Sequence, residues 1–236
     1  MPIARGAPGP TAVWTSGTTI SVTYAGLTAG RGIVIGVVWY HATATISSIT
    51  LTSEANATLL AGTLVRNAAL NDTALQIAHL REITVGGTKT ITATLSATPS
   101  AGAIFAQEYS GQDTVDFSDA ATNTGTGNSA NPSITVTTNT DNDLIYSINV
   151  TNAEAQTAGA GFTLVSLNTS FWWEATEDDV DVGVAGAKTV PWTHAAGDWA
   201  ISAAGFKPAS TLGAAQFMVA TRGLAGTGGM IGRDYI

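Results

Sequence analysis

Along much of this chain, apolar residues alternate with Thr, Ser or Asn. Residues 18–24 place Ile20, Val22 and Tyr24 on one side, the period-two pattern of a strand with one buried face. Residues 46–52 repeat the pattern through Ile46, Ile49 and Leu51. Residues 33–41 form a continuous apolar run instead, which predicts a central strand covered on both faces. Further strands are predicted over 58–66, 73–81, 89–95, 103–109, 133–138, 143–150, 162–173, 179–184 and 198–206. No stretch of helical period separates them. Short strands with frequent turn signals predict an all-β protein, here a jelly-roll-like antiparallel β-sandwich. Residues 113–132 read as a long polar loop, and Asp141-Asn142-Asp143 as turn chemistry.

Three segments follow from this pattern: an extended N-terminal segment (1–12), the sandwich (13–207) and a C-terminal arm (208–236). Pro208 ends the last strand. Beyond it the sequence is rich in Gly and Ala, with scattered large apolar residues. Leu212, Phe217, Met218, Val219, Met230 and Ile231 are the expected assembly contacts. Such a short segment has no core of its own, so its apolar side chains need an acceptor surface. Two extended ends on a rigid sandwich suit a subunit that locks into an assembly.

Composition narrows the function classes. Only 11% of the 236 residues are charged, well below the ~25% of ordinary domains. Thr is roughly one residue in six, which fits half-exposed strands. The net charge is −8, and nine Lys and Arg do not make the basic footprint that nucleic acid requires. Of the 17 acids, 12 lie between Lys89 and Lys188, where no basic residue occurs. With no cysteine, disulfides, thiol nucleophiles and thiolate metal sites are excluded. The longest apolar run is far shorter than the ~20 residues of a membrane-spanning helix. The start, Met1-Pro2-Ile3-Ala4-Arg5-Gly6, lacks the apolar stretch of a secretory signal.

Candidate chemistry is sparse. His41, His79 and His194 have no recognisable nucleophile or carboxylate partner in a triad arrangement, so no catalytic residue is assigned and no enzyme is expected. Glu174, Glu177, Asp178, Asp179 and Asp181 form an acidic run. Oxygen ligands of this kind suit calcium, and a solvated acidic hairpin is the competing reading. No metal site or cofactor is otherwise assigned. In Phe171-Trp172-Trp173, strand neighbours point to opposite faces, so Trp172 or Trp173 is expected as an exposed aromatic contact. Trp14, Trp39, Trp192 and Trp199 are expected in the core.

The strand end Ala106-Gln107-Glu108-Tyr109-Ser110-Gly111 resembles one found in many bacterial and phage β-sandwich proteins. There too it precedes a Gly/Ser/Thr-rich loop, a Thr-rich strand and an Asp-Leu-apolar strand, matched here by residues 124–131, 133–138 and Asp143-Leu144-Ile145. The close, Asp198-Trp199-Ala200 to Phe206, is similar as well. The resemblance spans residues 11–207 and is to jelly-roll modules of phage virions and of carbohydrate-binding or adhesive surface proteins. It implies a structural protein on the capsid surface of a tailed phage, a decoration or stabilising subunit. Its partners would be its own copies, as a trimer, and a major capsid or other virion protein, with no nucleic acid and no membrane. The alternative is a glycan-binding module of a tail fibre or adhesion protein.

Overall fold

The computed structural model describes residues 1–210; the expected contacts Leu212, Phe217, Met218, Val219, Met230 and Ile231 lie outside them. The first half of the described chain supplies β1 (Ala4–Arg5), β2 (Thr11–Val13), β3 (Thr19–Leu27), β4 (Gly32–Tyr40), β5 (Ile46–Leu51), β6 (Thr58–Leu59), β7 (Val65–Asn67), β8 (Thr73–Leu80), β9 (Gly87–Leu95) and β10 (Gly102–Ser110). The second supplies β11 (Ser118–Ser129), β12 (Ser133–Thr138), β13 (Leu144–Thr151), β14 (Thr157–Ala158), β15 (Thr163–Asn168), β16 (Trp173–Asp179), β17 (Gly186–Thr193) and β18 (Gly197–Phe206). The protein is an all-β sandwich with antiparallel sheets.

Seven strands of each half repeat one another in order and pairing. In the first, an inner sheet runs β1-β10-β4-β8-β6, with β2 also on β10 and β7 on β8, and an outer sheet runs β3-β9-β5. In the second, the inner sheet runs β11-β18-β13-β16-β15 and the outer sheet β12-β17-β14. The path β2-β10-β4-β8 over β3-β9-β5 thus recurs as β11-β18-β13-β16 over β12-β17-β14. Each half therefore follows a jelly-roll path. The repeat is visible in sequence once the strands are aligned: Ser21-Val22-Thr23 matches Ser133-Ile134-Thr135, and Gly87-Thr88-Lys89-Thr90-Ile91 matches Gly186-Ala187-Lys188-Thr189-Val190. Residues 13–207 thus contain two sandwiches, joined through 111–117.

Four layers stack outer-inner-inner-outer around three apolar cores. Ile20, Val22, Ile35, Val37, Trp39 and Ile91 fill the first sandwich. Ile134, Val136, Ile145, Val190, Trp192 and Ile201 fill the second. Between the inner sheets, Val34, Val38, Ile77 and Phe105 meet Leu144, Tyr146, Ile148 and Ala200. All nine residues of β4 are buried, as the unbroken apolar run predicts: its odd residues face the first core and Val34 and Val38 face the seam.

Several boundaries differ from the sequence reading. The polar stretch expected as a loop contains β11, a 12-residue edge strand paired with β18. Its face carries no apolar alternation because Gly125 and Gly127 leave room for Trp199; a Cβ on Gly127 would lie 2.7 Å from that indole. The strand expected over 162–173 breaks into β15 and a turn. The next strand is the acidic segment β16 itself, and β17 follows where the reading placed none. The strand expected over 58–66 is two short pieces, β6 and β7.

The N-terminal segment is extended as expected and docks on its own chain. Both β1 and β2 pair with β10, and Ile3 is 3% exposed in the seam core. Two backbone contacts make this close approach depend on glycine: a Cβ on Gly9 would lie 1.7 Å from the Ala106 carbonyl oxygen, and one on Gly111 would lie 2.1 Å from the Pro2 carbonyl oxygen.

Candidate functional site

Polar groups concentrate along the seam between the two sandwiches, and β16 organises them. Strand alternation sends Glu174, Thr176 and Asp178 toward the first sandwich and Ala175 and Glu177 toward the second core. Glu174, Thr176, Glu177 and Asp178 are each at most 1% exposed. Asp178 accepts from Arg5 Nε at 2.8 Å and from the Tyr109 hydroxyl at 2.7 Å; a second Arg5 nitrogen completes the fork. Glu174 accepts from the Tyr40 hydroxyl and from Asn168. Tyr40, Tyr109 and Arg5 all belong to the first sandwich or its N-terminal strand, so both carboxylates bridge the halves.

Burial governs the proton affinities here. It pushes Glu174 up to about 7, against the Tyr40 and Asn168 hydrogen bonds that favour the charged form. It pushes Glu177 up to about 9, with the Asp178 carboxylate adding to the rise; only the Gly159 backbone N–H, at 2.9 Å, opposes it. The Tyr40 and Tyr109 hydroxyls are held protonated by burial and by the carboxylates they donate to.

This geometry revises the acidic-run expectation. Glu174, Glu177 and Asp178 are interior groups, not a solvated hairpin, and they diverge to opposite faces of one strand. Among the described residues no group of three or more His, Asp or Glu side chains is arranged to hold a metal ion. The hairpin reading fits only Asp179 and Asp181, which shape the turn into β17 by accepting from the Asp181 and Gly183 N–H groups.

The aromatic triplet lies at the mouth of the seam. Phe171, not Trp172 or Trp173, is the exposed ring, at 48%. It rests edge-on against Tyr40 (centroids 4.6 Å apart) and Trp172 (5.5 Å). Trp172 and Trp173 are half-buried, and Trp172 packs on the seam core. The sequence puts the triplet on a strand, whereas residues 169–172 form a turn; strand alternation therefore does not apply there. Trp39 and Trp192 are fully buried, while Trp14 and Trp199 close core edges from half-buried positions.

At one end of the stack, Met1, Pro2, Asp113, residues 139–142, Asp181 and residues 207–210 line an open cleft of about 900 Å3. Asp141-Asn142-Asp143 is the turn the sequence predicts: Asp141 accepts from the Ala185 N–H at 2.7 Å, and Asn142 has φ 60°. Asp143 is fully buried, and neither carboxylate oxygen meets a hydrogen-bond partner among the described residues. Burial and the nearby Asp119 carboxylate raise it to about 8.

The histidines take structural places. His41 Nδ1 accepts from the Thr43 and Ala44 N–H groups in the turn before β5. His79 packs against Phe117 and Phe206, and burial lowers it to about 4. His194 is buried beside the Ala195 carbonyl.

Neither protein families nor curated proteins give a match to this chain. Among solved structures it is similar to one titled "Life in the extremes: atomic structure of Sulfolobus Turreted Icosahedral Virus". That similarity covers 87% of this chain and 90% of the other, at 8% identity and a TM-score of 0.22. A score of that size does not establish a shared fold.

Proposed function

We propose that this chain is a virion structural protein, a decoration or stabilising subunit on the capsid surface of a tailed phage. The observation that carries this reading is the four-layer stack itself, in which two jelly-roll halves are clamped through an apolar seam bordered by buried polar contacts. Such a body is stiff and charge-poor, and its interior acids serve cohesion. Ser210 lines a cleft with Met1 and Pro2, and the sequence that follows it carries large apolar residues. Leu212, Phe217, Met218, Val219, Met230 and Ile231 would seat that arm on the neighbouring copies of a trimer or on a major capsid protein. The reading involves no catalytic step.

Deleting residues 209–236 tests it. The truncated chain should keep the wild-type melting profile and β-sheet circular dichroism, yet fail to copurify with particles when supplied in trans. Incorporation at the wild-type level would remove the arm's role.

Exposed Phe171 favours a second reading, glycan binding at the seam mouth. Phe171→Ala should then abolish retention on an immobilised glycan array while leaving particle incorporation intact.

A further inference from the structure

Asp143 ends the turn that walls the open cleft, and its carboxyl group has no donor. The residue is fully buried, and neither side-chain oxygen meets a hydrogen-bond partner among the described residues. An ionised carboxylate is very costly in such a place. Its neighbour is a second acid, Asp119, the second residue of β11 and 5% exposed. Gly205 gives Asp119 room, since a Cβ there would already lie 3.6 Å from the Asp119 Cβ. Register pairs Gly205 with Ile145, and continued alternation puts Asp143 on the same face as Ile145. The two carboxyl groups therefore meet on one face of the inner sheet, close enough for a hydrogen bond once one of them carries a proton.

The Asp119 side chain serves the turn. Its carboxylate accepts from the Asn139 N–H at 2.6 Å and from the Thr140 hydroxyl at 2.9 Å. Its backbone carbonyl accepts from Asn139 Nδ2 at 2.9 Å. On the other side the same segment holds the turn before β17. There the Asn142 N–H donates to the Gly183 carbonyl at 2.6 Å, and the Asp143 carbonyl accepts from the Val182 N–H at 3.1 Å. Residues 139–142 line the cleft, so contact between the two acids fastens this wall to β11.

The surrounding charge disfavours a second carboxylate. Burial and Asp119 raise Asp143 to about 8; Asp141 adds to the rise and Lys207 opposes it. The Lys207 ammonium is itself paired with Asp116, and Asp113 and Asp181 line the cleft beyond. We infer that Asp143 stays un-ionised and donates its proton to Asp119, forming a latch that fastens the cleft wall in acid and loosens as pH rises. When the wall opens, Asp143 meets water and releases that proton at ~4, as a free carboxyl does. Opening should therefore grow about tenfold per pH unit between about 4 and 8 and level off above.

Amide exchange of residues 139–143 in the full chain, corrected for base catalysis of the exchange itself, reads that opening. Asp143→Asn keeps a donor toward Asp119 and cannot ionise, so its corrected exchange should stay flat across the window. Asp119→Asn serves instead should the first variant melt early, because its amide can donate to an ionised Asp143. In the infrared, wild type minus Asp143→Asn at neutral pH should show the carbonyl stretch of an un-ionised carboxylic acid. Absence of that band overturns the inference, and so does a wild-type pH dependence retained in the folded variant. Faster wild-type exchange on adding a divalent-metal chelator overturns it as well, since a cation rather than a proton would then join the two carboxylates.

Discussion

Arg5 in the N-terminal strand closes a forked ion pair on Asp178, a residue 173 positions later in the chain. Arg5 remains 27% exposed while the Asp178 side chain is fully buried. The pair ties a two-residue strand to the second sandwich, across the seam. Arg5→Ala would leave the carboxylate with the Tyr109 hydroxyl alone. Removing one partner of a buried pair is costly; partial exposure of Arg5 reduces this to roughly 1–3 kcal/mol. Urea denaturation should show that loss, and Arg5→Ala/Asp178→Asn should recover part of it because the buried charge is gone.

Gly36 sets how closely the inner sheets approach. A Cβ there would lie 2.6 Å from Ile148 Cδ1 and 3.2 Å from the Tyr146 hydroxyl. Both neighbours are fully buried, so they have little room to yield. Gly36→Val should cost roughly 1–3 kcal/mol by overpacking, measured as a lower denaturation midpoint. Gly17→Ala, where no atom lies within 4 Å, tests a different cause, since its φ of 73° strains any side chain; its loss should be smaller.

Stability should depend on pH in two opposite ways. Glu174, Asp143 and Glu177 keep their protons in the folded state up to about 7, 8 and 9, whereas unfolded carboxyls release them near 4. The unfolded state binds fewer protons in that window, so stability falls as pH rises from about 4 toward 9. Glu54 behaves conversely. Four donors from Thr84, Val85 and Lys89 outweigh its burial and hold it down to about 2, so its contribution is lost as pH falls from about 4 through 2. Melting temperatures should therefore peak in mildly acidic solution. Glu177→Gln should flatten the alkaline arm, and an unchanged slope in that variant would count against Glu177 as its source.

His79 should stay neutral into acid solution, since burial among Phe117 and Phe206 lowers it to about 4. Imidazole resonances followed by NMR should show His79 titrating near 4, well below the ~6.5 of a free histidine. Titration of His79 at the ordinary ~6.5 of a histidine would mean that its environment opens in solution.

The alternation of apolar residues with Thr and Ser determined the all-β class, most strand positions in both halves and the central place of β4. These are local properties: a period of two buries one face whatever lies opposite. The turn at Asp141-Asn142-Asp143 was legible for the same reason. Tertiary structure alone decided the pairing of the halves, because a strand does not encode which sheet will cover it. The repeat shared by Gly87–Ile91 and Gly186–Val190 was present in the sequence, yet its meaning depended on knowing that Lys89 and Lys188 hold equivalent places. The buried acids of β16 ran against the polar-outside rule, which broke the predicted strand at the wrong residues. The burial of Glu174 and Asp178 became intelligible only once Arg5, Tyr40 and Tyr109, all distant in the chain, arrived to meet them. For β11, the signal was missing because glycine supplied space for Trp199 instead of an apolar side chain, a role visible only when the indole is in place.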